Sequence, residues 1–194
     1  MVMLRVSQLN DRVMVSIVLA GGKSQRLGRD KVWEKVGGKS LIQRVVDLLA
    51  PLSTELVVVI AQGQPQPKLD SDIEIKVISD IYPGCGSMGG IYTGITAASS
   101  FHSLAVACDM PFLVAPLLRY MMGLAPGYDI VIPRMEKGLE PLHAVYSKNC
   151  LAPMKTLIQQ GKLRIAEFFP QVRVRFVERE EIDRFDPEHL SFFN

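Results

Sequence analysis

Cysteine is scarce in this chain: Cys85, Cys108 and Cys150 form an odd set with no C-x-x-C spacing. That excludes a disulfide framework and a structural zinc site as the basis of the fold, and unpaired thiols suit a reducing cytoplasm. Long apolar runs are missing too. None approaches the ~20 residues that a membrane-spanning helix needs, so a soluble protein without a membrane partner is expected. Nor is charge of one sign in excess, since 22 Lys and Arg against 20 Asp and Glu leave a formal net charge of +2. This balance matches an ordinary globular protein and does not suit a nucleic-acid-coating or disordered one. The sequence also carries no internal repeat and no low-complexity tract.

What remains is 194 residues, 48% of them hydrophobic, enough for one well-cored domain and too few for two comfortable ones. Residues 1–12 read as an N-terminal extension and residues 13–194 as a single domain. Residues 13–20 (VMVSIVLA) are a continuous apolar, β-branched run, which predicts a central parallel strand buried on both faces. The run is bounded by Asp11 and followed at once by a basic loop, which sets it apart from a signal-peptide core. Residues 56–61 and 104–108 share its character. Residues 73–78 alternate and are expected nearer a sheet edge; residues 129–133, 142–146 and the half-exposed 172–177 are further strands. Leu41, Val45, Val46, Leu48 and Leu49 form a helical stripe behind Ser40 as N-cap. Ile91, Ile95 and Ala98 form a second stripe, and Leu117, Leu118, Met121 and Met122 a third. Strand and helix alternate, which predicts an α/β fold: a three-layer, doubly wound, mostly parallel Rossmann-like sheet with helices on both faces. Ligands of such sheets sit at the carboxyl ends of the strands.

The first strand runs into residues 19–31, LAGGKSQRLGRDK. Gly21, Gly22 and Gly28 let the backbone approach phosphates, while Lys23, Arg26, Arg29 and Lys31 offset the charge of a triphosphate. Counting excludes two commoner phosphate loops. A Walker A motif needs Gly five residues before the Gly-Lys-Ser, where Ile17 and Trp33 stand instead, and G-x-G-x-x-G fails because the glycines are adjacent. Asp109 ends a buried apolar strand and is placed to hold Mg²⁺ against those phosphates; position alone equally suits a helix N-cap. Asp80 closes another strand and opens a loop with Gly84, Gly86, Gly89 and Gly90, expected to wrap a flat base or ribose. Arg134, Glu136 and Lys137 look like an exposed turn at a substrate mouth. His143 reads as a structural residue, and His102 and His189 have no partner at readable spacing.

Taken together, LAGGKSQRLGRDK, D-x-x-P-G, G-G-I-x-x-G-I, C-D-M-P-F-L and E-P-L-H-A-V-Y resemble the molybdenum cofactor guanylyltransferases, a group of nucleotidyltransferases, from Val15 onward. The resemblance implies Mg²⁺-dependent transfer of GMP from GTP to molybdenum-molybdopterin, with pyrophosphate released. By matching motif, it implies that Leu19, Ala20, Gly21, Gly22, Lys31 and Asp80 contact the nucleotide. Arg26 and Lys31 would steady the triphosphate, and Asp109 would bind Mg²⁺. Molybdoenzyme clients or their chaperones are the implied recipients of the product. Two departures stand out. Ile60 occupies a place where some relatives carry Asn, leaving Gln62 as a substitute contact. The N-x-N-T-P-E segment linked to the pterin side is matched only as far as Phe192-Phe193-Asn194, so either that segment lies beyond Asn194 or the acceptor side is built differently. The residues leave two other readings open: transfer of CMP or another nucleotide to a phosphorylated small molecule, and a nucleotide-binding adaptor without catalysis.

Overall fold

The computed structural model describes residues 14–21, 35–36 and 38–192. In chain order, β1 (Met14–Leu19) precedes a small hairpin of β2 (Lys35–Val36) and β3 (Lys39–Ser40), then α1 (Leu41–Leu49), β4 (Ser53–Ile60) and β5 (Ile75–Ser79). There follow α2 (Gly86–Ala97), β6 (His102–Ala107), α3 (Ala115–Leu124), β7 (Ile130–Met135), β8 (Gly138–Leu139) and β9 (His143–Ser147). The described chain closes with α4 (Leu151–Gln159), β10 (Val174–Val177), α5 (Arg179–Ile182) and a 3₁₀ turn over Leu190–Phe192.

The main sheet has the order β10-β7-β9-β6-β1-β4-β5, with β8 paired to β7. Strand β1 is central and parallel to both β4 and β6, as its two-sided apolar sequence predicts. The alternating run at β5 lies at one edge and the half-exposed β10 at the other. Only β9 runs against its neighbours β6 and β7. Because β9 is reversed, its amino end, beginning at His143, lies beside the carboxyl end of β6: His143 pairs with Val106.

Side-chain alternation divides the core into the predicted layers. Met14 and Val18 of β1, with Leu56 and Val58 of β4, face Ile42 and Val46 of α1 and Leu117 and Met121 of α3. Val15 and Ile17, with Val57 and Val59, face Ile91 and Ile95 of α2 and Met154 of α4. Ser40 caps α1 as expected, its hydroxyl accepting from the Gln43 backbone at 3.3 Å. The polar stretch after β4 is tied to α1 through Gln43, whose amide exchanges two hydrogen bonds with the Asp70 backbone.

The glycines of α2 differ from expectation. The helix begins at Gly86, so Gly89 and Gly90 lie inside it and do not form a loop around a base. They are there because α2 presses on the sheet. A Cβ at Gly90 would lie 2.2 Å from Leu19 Cδ2, and one at Gly94 would lie 2.3 Å from Ile17 Cγ2. Ile17 is fully buried, so it cannot swing aside. Gly94→Ala is expected to destabilise the protein by about 1–3 kcal/mol through overpacking, seen as a fall of about 3–8 °C in Tm by calorimetry. An unchanged Tm would mean that α2 can lift from β1 without loss.

Candidate active site at the carboxyl edge of the sheet

Four parallel strands deliver their ends to one edge. Beyond Leu19, the Ala20 amide donates to Val59 O at 2.8 Å; beyond Ile60, the Asp80 amide donates to Ile60 O at 2.8 Å. On the other side of β1, the Cys108 amide donates to Leu19 O at 3.1 Å. Asp109, Ala20, Ala61 and Asp80 therefore stand in a row across β6, β1, β4 and β5. The sequence placed these residues at strand ends; the sheet order places Leu19, Ala20 and Gly21 between the two aspartates.

That row separates the roles of the carboxylates. Asp80 and Asp109 are three strand spacings apart, about 14 Å, while a divalent cation holds its oxygen ligands at about 2 Å, so one ion cannot be shared by both. Their surroundings differ as well. Asp80 Oδ1 accepts from the Tyr82 amide at 2.9 Å and from the Thr93 hydroxyl at 2.8 Å, which fastens the turn after β5 onto α2. Asp109 is half-buried, and no hydrogen bond or ion pair engages its carboxylate among the described residues. The N-cap alternative for Asp109 falls away, because α3 begins at Ala115 with Val114 as its N-cap. No cluster of three or more His, Cys, Asp or Glu side chains able to hold a metal occurs among the described residues. Asp109 alone still fits Mg²⁺, which takes one or two carboxylates and completes its shell with phosphate oxygens and water.

Gly21 is exposed, yet a Cβ there would lie 2.8 Å from the Ala61 backbone nitrogen. Close passage of β1 past the end of β4 thus requires glycine, independently of any phosphate. Gly22, Arg26 and Lys31 lie outside the described residues. Gln62 is exposed, and the polar side chain that reaches the site is Gln64 instead. Its Oε1 accepts from the Ala61 amide at 3.0 Å and its Nε2 donates to Ala20 O at 3.3 Å. Gly63 makes this possible by adopting a φ of +78°, which turns the chain back. The signal in the sequence was Gln-Gly-Gln, read one residue pair too early.

The other half of the edge holds a cleft of about 480 Å³ lined by Met135, Lys137, Glu140, Arg179, His189 and Phe192 among others. Arg134, Glu136 and Lys137 do belong to an exposed hairpin at its rim, the β7–β8 turn. The cleft adjoins the Asp109 loop. Glu140 lies three residues before His143 and Asp109 three residues after Val106, the two residues paired at this edge. The Val114 amide at the end of that loop donates to Ser191 Oγ at 3.0 Å, next to Phe192. Asp186 pins the same segment, accepting from the amides of Leu190 and Ser191 at 2.9 and 2.8 Å. Sequence reading found the E-P-L-H segment but not the C-terminal residues, whose weak periodicity carries no signal of where they pack.

Within the cleft, most charges are already committed. Arg179 is paired with Glu136 and approaches Asp183, and His189 lies 2.6 Å from Asp183 Oδ1. Glu140 differs: it is half-buried, no hydrogen bond or ion pair reaches its carboxylate among the described residues, and burial raises its pKa against a weaker opposing pull from Lys137. Behind the cleft, His143 is fully buried and stacks on Phe192 at 4.8 Å between centroids and 30° between planes. No helix among the described residues is long and apolar enough to cross a membrane.

Comparison with known proteins agrees with this architecture. Residues 16–173 match the MobA-like NTP transferase domain family. A protein described as a probable molybdenum cofactor guanylyltransferase from Pelotomaculum thermopropionicum is 36% identical over 92% of this chain and 85% of its own. A molybdenum cofactor guanylyltransferase from Desulfosudis oleivorans is 31% identical over 93% of this chain and 89% of its own. Among solved structures, molybdopterin-guanine dinucleotide biosynthesis protein A from Archaeoglobus fulgidus superposes with a TM-score of 0.78 at 31% identity, covering 93% of this chain and 91% of that one.

Proposed function

The chain belongs to the MobA-like NTP transferase family, and from that premise we propose that it transfers GMP from GTP to the phosphate of molybdenum-molybdopterin. The products are the molybdopterin guanine dinucleotide cofactor and pyrophosphate. A phosphate oxygen of the acceptor attacks the α-phosphorus of GTP, forming the new P–O bond. The bond from the α-phosphorus to the α–β bridging oxygen breaks, and pyrophosphate leaves with its electron pair. The acceptor is itself the nucleophile, so the protein's task is to hold two anionic molecules in line and offset their charge.

The observation that carries this reading is the uncommitted Asp109 carboxylate, set between the glycine-lined end of β1 and a separate cleft at the same sheet edge. In this reading Leu19, Ala20 and Gly21 present backbone to the nucleotide, and Asp80 holds the turn that borders it. Gly22 lets the backbone approach the phosphates, and Arg26 and Lys31 steady the triphosphate. Asp109 would hold Mg²⁺, which when bound neutralises charge on the phosphates and the departing pyrophosphate. Molybdoenzyme clients or their chaperones receive the product in the cytoplasm. The test is pyrophosphate release with molybdopterin and each of the four nucleoside triphosphates. A clear preference for GTP is expected; a preference for CTP, or GTP binding without turnover on any pterin acceptor, would overturn the proposal.

A further inference from the structure

The cleft beside the Asp109 loop offers one group that its own surroundings leave unsatisfied. Glu140 is half-buried, and no described residue donates to it, whereas the neighbouring Glu136 and Arg179 neutralise each other. A carboxylate held in this way favours a ligand that brings a pair of parallel N–H donors, since two such bonds replace the water that burial has removed. Phe192 forms another wall. One face of its ring is occupied by His143, which leaves the opposite face for a flat aromatic ligand. A volume of about 480 Å³ suits a ring system with a polar substituent.

Resting on the guanylyl-transfer reading above, we propose that Glu140 and the face of Phe192 turned away from His143 form the subsite for the acceptor's fused pterin ring. Glu140 accepts from the ring's 2-amino group and its N3–H, and Phe192 stacks on the ring. Guanine carries the same edge, so the position in the fold makes the assignment. The cleft lies on the β7 and β9 side of Asp109, whereas Leu19, Ala20, Gly21 and Asp80 lie on the β1 to β5 side. The ring is thereby held across Asp109 from the GTP, with its phosphate directed toward the Asp109 loop. Glu140 is a specificity-determining residue here: it excludes ring systems that lack the 2-amino donor.

The test uses the full chain and 6-hydroxymethylpterin, whose own fluorescence reports binding. Saturable binding to the wild type is expected, weakened at least tenfold in Glu140→Gln and weakened also in Phe192→Leu, with GTP and Mg²⁺ failing to displace the probe. With molybdopterin as substrate, Glu140→Gln should raise KM for the acceptor at least tenfold while leaving KM for GTP within about threefold. Each outcome decides. Wild-type-like pterin binding in Glu140→Gln, no saturable binding to the wild type, or displacement by GTP would each overturn the subsite. If the wild type nevertheless releases pyrophosphate from GTP with molybdopterin, only the subsite falls; if it does not, the guanylyl-transfer reading falls with it. Unchanged thermal melting of both variants shows that the loss is not one of folding.

Discussion

Asp109→Asn is expected to lower guanylyl transfer by about a thousandfold while leaving the fold intact, because a preorganised charge aimed at a phosphoryl transition state is worth several kcal/mol. Asn preserves shape and one oxygen but removes the negative charge, which is what a hard dication requires. Since no described residue bonds to the Asp109 carboxylate, the substitution breaks no structural contact, and the change in stability should stay within about 0.5 kcal/mol. GTP affinity measured by calorimetry without Mg²⁺ should be unaltered or slightly improved, whereas the tightening that Mg²⁺ gives the wild type should be largely lost. Single-turnover pyrophosphate release separates the two effects. Turnover within threefold of the wild type would remove Asp109 from the metal site and leave the described residues without a ligand for it.

Replacing His143 should remove much of the protein's sensitivity to mild acid. Burial lowers this imidazole from the usual 6.5 to about 4, against raising pulls from the Ser191 backbone and the Asp186 carboxylate. Neither ring nitrogen has a hydrogen-bond partner among the described residues. A folded-state pKa below the unfolded value means that the unfolded chain binds the proton first. The stability is therefore present above about pH 6.5 and is lost as pH falls toward 4, amounting to about 3 kcal/mol over the window. Asp129 and Glu181 have lowered carboxyl pKa values, Glu181 to about 2, and act at more acidic pH. Glu140 is raised and works in the opposite sense, but it is common to both proteins. The difference between wild type and His143→Phe isolates the imidazole. Urea unfolding at pH 7, 5.5 and 4.5 should show the variant nearly flat where the wild type declines; parallel declines would mean that His143 is protonated without cost in the folded state.

The strands were legible because burial on both faces leaves a local mark. The run at β1, the two runs that became β4 and β6, and the alternating edge strands β5 and β10 each announce their environment within a few residues. Ser40 likewise caps α1 through a contact only three residues long. The glycines were legible as necessary but not as to purpose. Gly90 and Gly94 are demanded by Leu19 and Ile17, residues more than seventy positions away that only the docking of α2 on β1 brings near. Gln64 was missed for a similar reason: its contact with Ala20 spans 44 residues, and the turn that aims it depends on the conformation of Gly63.

The sequence alone determined the strand and helix periods, the carboxyl-edge placement of Leu19, Ala20, Gly21, Asp80 and Asp109, and a motif set specific enough to indicate the family. These are properties of short segments, where side-chain alternation and backbone preference act locally. Tertiary structure decided which strand lies beside which. That order set Asp80 and Asp109 too far apart to share an ion, and the reversal of β9 brought Glu140 to the same edge as Asp109. It also carried Phe192 back against His143 to close a cleft. Strand order is settled by packing the whole sheet between its two helical layers, a free energy that no single segment contains, so the meeting of residues from β6, β9 and the C-terminal turn had to be read from the fold.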